Sequence, residues 1–389
     1  MTEETYAPAT GHLDYYKEHG ISPVRYDLSD LDAHLDRRDF LYRSLGLPPA
    51  AFKGVAVLEV AAGSGQNSLY VASLGPALYD LVEPNPTGVR DIQAAYAGFD
   101  RPHTTPNLIV EQFETFRAQR SYDIVLCENW LGSPPNELAL LGKLAKLVTP
   151  GGVLVVTLVP HTGLAANVAR YAMAQRLLDQ KGEIGFQAQT EYLVSVFGKH
   201  LSTMSSMTRS HHDWVRDMLQ NRVFLPVVLP LEEVIDSIGP DMESLSFSPR
   251  FSADWRWFKA GVGPARRLND VALSSYRANL HNFMDWRVVS PARDPGENQR
   301  IDAKCRELHS AVSAWYGARS EAGGSAIERA LAALVDALAP TDPAISAAYA
   351  EALAAWRRPT LDGDEVRDLP KFGALFGREL VYGSFTRRR

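Results

Sequence analysis

In the segment LEVAAGSGQNS, residues 58–68, an apolar run ends in an acidic residue and small residues lead on into a helix start. A turn of that kind lets backbone approach a ligand. Gly63 and Gly65 tolerate positive φ and offer amide groups with no side chain in the way, while Glu59 accepts hydrogen bonds at the strand end. A dinucleotide fingerprint anchored on these glycines wants glycine or alanine at position 68. Ser68 is a poor match there for a helix that must press on the strand, which disfavours a nicotinamide cofactor. Without a ligand, the same residues make a structural turn.

The stretch Glu59-Val60-Ala61-Ala62-Gly63-Ser64-Gly65 resembles the first motif of class I S-adenosylmethionine-dependent methyltransferases, acidic-x-Gly-x-Gly-x-Gly, with Ala61 in place of the first glycine. The resemblance implies S-adenosylmethionine as cofactor and a methyltransferase activity. Ala61, Gly63, Gly65 and Asn67 would form the cofactor turn. LYDLVEPNP places Glu83, followed by Pro84, at the end of the next run, where a carboxylate offers two acceptors to the vicinal hydroxyls of the ribose. The third run leads to Gln112 and Phe113, which the resemblance sets against the adenine. The fourth, YDIVLCENWL, leads to Glu128 and Asn129, which would lie beside the methionine moiety and its positive sulfur.

Methyl transfer is an in-line displacement, so the protein chiefly aligns the groups and excludes water. A hydroxyl acceptor needs a base, and imidazole is the natural one. His161 directly follows the fifth run; His212, in His211-His212-Asp213-Trp214, has a carboxylate neighbour and is the first choice. Magnesium-dependent catechol-type enzymes carry Asp at the fourth strand end and Asp-Asn after the fifth; Glu128 and Val159-Pro160-His161 stand there instead, so no metal is expected.

Such residues meet only if a sheet brings strand ends together. Between Lys53 and Pro160 the runs VAVLEVA, LYDLV, NLIV, YDIVLC and VLVVTLV alternate with helix-compatible segments. Runs apolar on both faces are parallel strands under helices, so the fold class is α/β: a doubly wound, mostly parallel Rossmann-like sheet with an antiparallel edge strand. Residues 1–52 read as an N-terminal arm with a helix near Leu31 to Leu45, and 53–160 as the cofactor-binding core. Residues 161–225, with apolar spacing at Leu164, Val168, Tyr171 and Leu178, read as a helical cover closing over the cofactor cleft. Residues 226–265 complete the sheet: a short helix from Leu231 to Ile238, then strands at Met242 to Phe251 and Trp255 to Phe258. Alternation of Trp255 and Trp257 suits a strand with one buried face. Residues 266–389 read as a helical C-terminal region, its clearest helix starting at a capping box of Ser325 and Glu328 and carrying Ile327, Leu331, Leu334 and Leu338 on one face.

The 389 residues carry 40 basic and 46 acidic side chains, a formal charge of -6 that gives no global pull toward nucleic acid or anionic lipid. Two cysteines make no disulfide framework, and MTEETYAPAT lacks the pattern of a leader peptide, so the expected location is cytoplasmic. The uncharged stretch from Leu147 to Ala169 is broken by Pro150, Gly151, Gly152, Pro160 and Gly163, which leaves a buried strand rather than a membrane span. The expected partner is a small-molecule acceptor, hydroxylated or sugar-like and methylated on oxygen, with no nucleic acid or membrane; the C-terminal helices are the place for an oligomer contact. Two other readings stand beside this one: an inactive methyltransferase-like scaffold that binds cofactor or partner protein, and a nicotinamide-dependent oxidoreductase.

Overall fold

The computed structural model describes residues 10–22, 25–131, 136–205, 207–225, 228–261 and 267–389. The leader-peptide reading of residues 1–10 therefore falls almost wholly outside the described residues, as do 226, 227 and 262–265 of the sheet-completing segment. In chain order the elements are α1 (Thr10–His19), α2 (Leu31–Ser44), β1 (Ala56–Val60), α3 (Ser68–Ser73), β2 (Leu78–Val82), α4 (Pro86–Ala97) and β3 (Asn107–Ile109). Then come β4 (Tyr122–Cys127), α5 (Asn136–Lys146), β5 (Val148–Leu158), α6 (His161–Lys181), α7 (Phe186–Leu201) and α8 (His211–Val215), which runs on into a π-helical turn, Arg216–Gln220. The chain continues through α9 (Leu231–Ile238), β6 (Met242–Ser248), α10 (Arg267–Asn279), α11 (Pro295–Ala318), α12 (Glu321–Leu338), α13 (Pro343–Trp356), two short turns of helix and β7 (Val381–Arg387).

These elements form two compact units. The first comprises Met1–Leu158, Val227–Tyr276 and Leu380–Arg389. It holds a seven-stranded sheet in the order β3-β2-β1-β4-β5-β7-β6, with β1 to β5 parallel and β7 antiparallel to both β5 and β6. The five apolar runs are the five parallel strands, and from Val57 to Val60 and from Tyr79 to Val82 every residue is buried, as strands covered on both faces require. Strand order reverses between β1 and β4, so their carboxyl ends flank the crevice in which ligands of such sheets bind. On one face, α2 and α3 bury Leu35, Tyr42, Leu69 and Val71 against Val57, Leu81, Ile124 and Val155. The arm is therefore part of the core, and α2 starts at Asp30, whose side chain accepts from the Ala33 amide.

Two sequence expectations change here. Trp255 to Phe258 is not a strand; the segment is irregular and passes into a short 3₁₀ turn, Phe258–Gly261. The strand that pairs with β6 is β7, at the far end of the chain, and it lies between β5 and β6. It reads VYGSFTR, buried at Val381 and from Gly383 to Phe385, and it supplies the hydrogen bonds that both neighbours would otherwise lack.

The second unit, Val159–Pro226 with Arg277–Glu379, is helical. α6 is buried along nearly its whole length and packs on α11, and α12 packs on α11 and α13. Ile327, Leu331, Leu334 and Leu338 are buried as their spacing predicts, but α12 begins four residues before the expected capping box: Ser320, not Ser325, caps it by accepting from the Gly323 amide. The insertion after β5 and the C-terminal helices thus share one core. No helix among the described residues is long and apolar enough to cross a membrane.

Candidate functional site

The turn after β1 takes the conformation its glycines permit. Gly63 and Gly65 have φ of 58° and 71°, and Ala61, standing where the resemblance has glycine, is held at φ 61°. A side chain at position 61 pays for that geometry. Gly65 is needed for a different reason from the one its motif suggests: a Cβ there would stand 2.7 Å from Ile92 Cγ1 and 3.1 Å from its Cα, so the glycine lets α4 press on the turn. Ser68, expected to fit badly beside the strand, is fully buried and its hydroxyl donates to the Gly65 carbonyl at 2.6 Å.

Glu83 closes this turn from β2. Its carboxylate accepts the amide of Gly63 at 2.8 Å with one oxygen and that of Asn85 at 2.8 Å with the other. Burial raises its pKa to about 7, against the lowering effect of those two amides. Each oxygen keeps a lone pair free of these bonds, which is what a vicinal diol requires. Glu59 lies deeper. It is buried, accepts the Tyr79 hydroxyl, and is raised to about 7 by burial and by Glu128, with a further push from Glu83. Pro84 and Asn67 flank the turn half-buried, Asn67 at the start of α3 without a capping side-chain bond.

At the end of β3, Phe113 is 2% exposed, and its ring meets that of Trp130 edge-on at 6.0 Å. Lys143 of α5 fixes this loop by donating to the carbonyls of Phe113, Glu114 and Phe116, and its pKa is lowered to about 8 by burial. Gln112 is half-buried, and its carbonyl accepts the amides of Thr115 and Phe116.

The end of β4 differs from the sequence reading. Glu128 is engaged from α2: Arg38 donates to its two oxygens at 2.7 and 2.8 Å, and the Tyr42 hydroxyl to one of them at 2.7 Å. Burial opposes the Arg38 charge, but Glu128 and the phenols of Tyr42 and Tyr382 outweigh it and hold the guanidinium well above its ordinary value. Asn129, at φ 58°, is held from two strands: its backbone N–H donates to Thr157 Oγ1 at 3.1 Å, and its side chain donates to the Tyr382 hydroxyl of β7 at 3.3 Å. Sequence reasoning missed Arg38, Tyr42 and Tyr382. The arm also reaches the glycine turn, since Gln66 exchanges hydrogen bonds with the backbone of Tyr26 at 2.5 and 3.1 Å and Asn85 donates to the Ile21 carbonyl at 3.0 Å.

The structure therefore gathers Glu59, Ala61, Gly63, Gly65, Glu83, Glu128 and Asn129 at one edge of the first unit. Both candidate bases belong to the second. His212 faces Glu191 of α7 at 3.1 Å rather than its neighbour Asp213, which pairs with Arg216 at 3.6 Å. His161 opens α6 with its Nδ1 3.5 Å from that of His309, and burial, then Arg306 and His309, lower its pKa to about 3. No group of three or more metal-ligating side chains occurs among the described residues.

Residues 33–200 match a family model described as a methyltransferase domain. No curated protein matches the chain. Among solved structures, a methyltransferase from Thermoplasma acidophilum is 22% identical over 27% of this chain and 44% of that one, with a TM-score of 0.23. The CcbJ methyltransferase from Streptomyces caelestis is 18% identical over 30% and 51%, with a TM-score of 0.26. Magnesium protoporphyrin IX methyltransferase from Synechocystis, solved with bound S-adenosylmethionine, is 20% identical over 39% and 72%, at 0.28. The chain spans about half the length of the first two, 44% and 51%.

Proposed function

We infer, from the match of residues 33–200 to a methyltransferase domain and from the site's geometry, that the protein is a class I S-adenosylmethionine-dependent methyltransferase that transfers a methyl group to an oxygen of a small hydroxylated, sugar-like acceptor without a metal. The observation that carries the cofactor assignment is the closure of the glycine turn by Glu83 at the reversal of strand order. Left-handed backbone at the alternate positions 61, 63 and 65, two of them glycine, leaves Gly63 and Gly65 without a side chain in the turn, and the adjoining carboxylate keeps acceptors for a ribose diol. When bound, the cofactor supplies an electrophilic methyl on a positively charged sulfur. Gly63 and its neighbours would hold the ligand's polar atoms by backbone, Glu83 the ribose, and Phe113 an apolar face of the adenine. Glu128 and Asn129 stand at the strand end where the sulfur's charge is best tolerated, Glu128 fixed by Arg38 and Asn129 by Tyr382 and Thr157. His212 is the proposed acceptor of the hydroxyl proton.

Calorimetry with S-adenosylmethionine, its demethylated product and NAD in parallel tests this. Micromolar binding of the first two, about 8 kcal/mol, and weakening by roughly tenfold or more in Glu83→Ala are expected. Binding of NAD alone would make the protein an oxidoreductase, and binding of none of the three a scaffold.

A further inference from the structure

We propose that residues 250–259, which follow β6, are a lipid-surface contact that seats the first unit on anionic membrane. Trp255, Trp257 and Phe258 are 95%, 66% and 77% exposed, three large aromatic side chains bare within four residues. An apolar concentration of that kind on a protein surface marks an interaction site. The segment is held at its base: Arg250 donates to the carbonyls of Ser44 at 3.1 Å and Arg43 at 2.8 Å, at the end of α2. Beyond that anchor the rings project.

Charge and area choose the occupant. Residues 250–259 contain three basic side chains and one acidic, Asp254, in a molecule of net charge -6, so this segment is locally opposite in sign to the whole. The Lys259 ammonium lies 4.6 Å from the centre of the Trp257 ring and 6.0 Å from that of Phe258, so cation and rings are presented together. Tryptophan and phenylalanine beside lysine and arginine are the side chains that settle at the headgroup level of a bilayer, and basic residues add attraction to anionic lipid. A second copy of the chain is the poorer fit. Three aromatic side chains supply about 600 Å² in all, below the roughly 800 Å² per partner of a stable protein interface, whereas a bilayer needs no complementary surface. The inference does not rest on the methyltransferase reading. Because β6 runs parallel to β5, the segment leaves the sheet at the carboxyl edge that carries Glu83 and Asn129, and docking there would turn that edge toward the lipid.

Cosedimentation of the full chain with phosphatidylcholine vesicles, with and without phosphatidylglycerol, tests the proposal. The expected result is binding to the anionic vesicles that salt weakens and that falls roughly tenfold or more in the triple variant Trp255→Ser, Trp257→Ser, Phe258→Ser, with its circular dichroism and melting unchanged. Lys259→Glu, which keeps the rings, should weaken binding to anionic vesicles selectively. Absence of binding to either vesicle, binding undiminished in the triple variant, or a concentration-dependent dimer that the triple variant abolishes would each overturn it.

Discussion

Ala61 and Glu59 are the two side chains whose local cost is most open to measurement. Ala61 keeps a left-handed conformation at φ 61°, a state that an L-residue with a Cβ populates at a cost of about 1–2 kcal/mol. Part of that cost is returned by the smaller entropy alanine loses on folding, so Ala61→Gly should stabilise the protein by about 0.5–1 kcal/mol in urea titration. Gly65→Ala should do the opposite, because its Cβ would meet Ile92 of α4. Glu59 has its pKa raised by burial and by Glu128 from 4.5 to about 7. An acid raised on folding binds its proton more tightly in the native state, so its contribution to stability is greatest below pH 4.5 and is lost as pH rises through about 7. Glu59→Gln, which cannot ionise, should therefore be more stable than the parent at pH 8 in urea titration, by up to about 3 kcal/mol, with the advantage vanishing near pH 4.5. A difference independent of pH would contradict this account of the site.

β7 is the element on which the first unit depends most. It bonds to β5 from Val153 to Leu158 and to β6 from Met242 to Ser248, and Ser384 is wholly buried, donating to the Leu45 carbonyl at 2.7 Å. Stopping the chain after Glu379 should leave both neighbouring strands with unpaired backbone groups. The expected outcome is an aggregating protein with lost near-ultraviolet circular dichroism, whereas removal of Arg389 alone, which follows β7, should leave melting nearly unchanged. α2 has a comparable role at the site. Arg38 and Tyr42 are one helical turn apart on its buried side, so the helix that covers the sheet also supplies the partners of Glu128.

Across the molecule, the residues proposed to hold the cofactor and the candidate bases belong to different compact units. Substitution of a base should accordingly be separable from cofactor affinity. His212→Ala should lower turnover by about a hundredfold while leaving binding of the demethylated cofactor unchanged by calorimetry. His161 offers a contrast, since burial and its basic neighbours hold it neutral down to about pH 3. Were His161 the base, activity would persist on the acid side almost to that pH and would fall with His161→Ala instead. Measuring turnover of both variants and the pH profile of the parent distinguishes the two.

The parallel half of the sheet, the glycine turn and α9 were legible from short-range pattern. A strand buried on both faces must be a continuous apolar run, and a turn that needs positive φ tends to carry glycine, so VAVLEVA, LYDLV, YDIVLC and the residues from Ala61 to Gly65 declare themselves locally. Arg38 could have been found the same way: it shares the spacing of Leu31, Leu35, Tyr42 and Leu45, which puts an arginine on the apolar side of α2 and demands a buried anion. Which anion that is, 90 residues away at Glu128, is not a local property. Nor is the partner of β6, since VYGSFTR lies in the region read as helical and nothing local to it shows the edge it fills. The alternation of Trp255 and Trp257 suggested a half-buried strand, yet β7 had already satisfied β6, and the rings were left in solvent. Local periodicity fixes which residues prefer burial over about ten positions; the tertiary structure alone decides which distant segment satisfies an open strand edge or a buried charge, because only chain closure brings those groups within hydrogen-bonding reach.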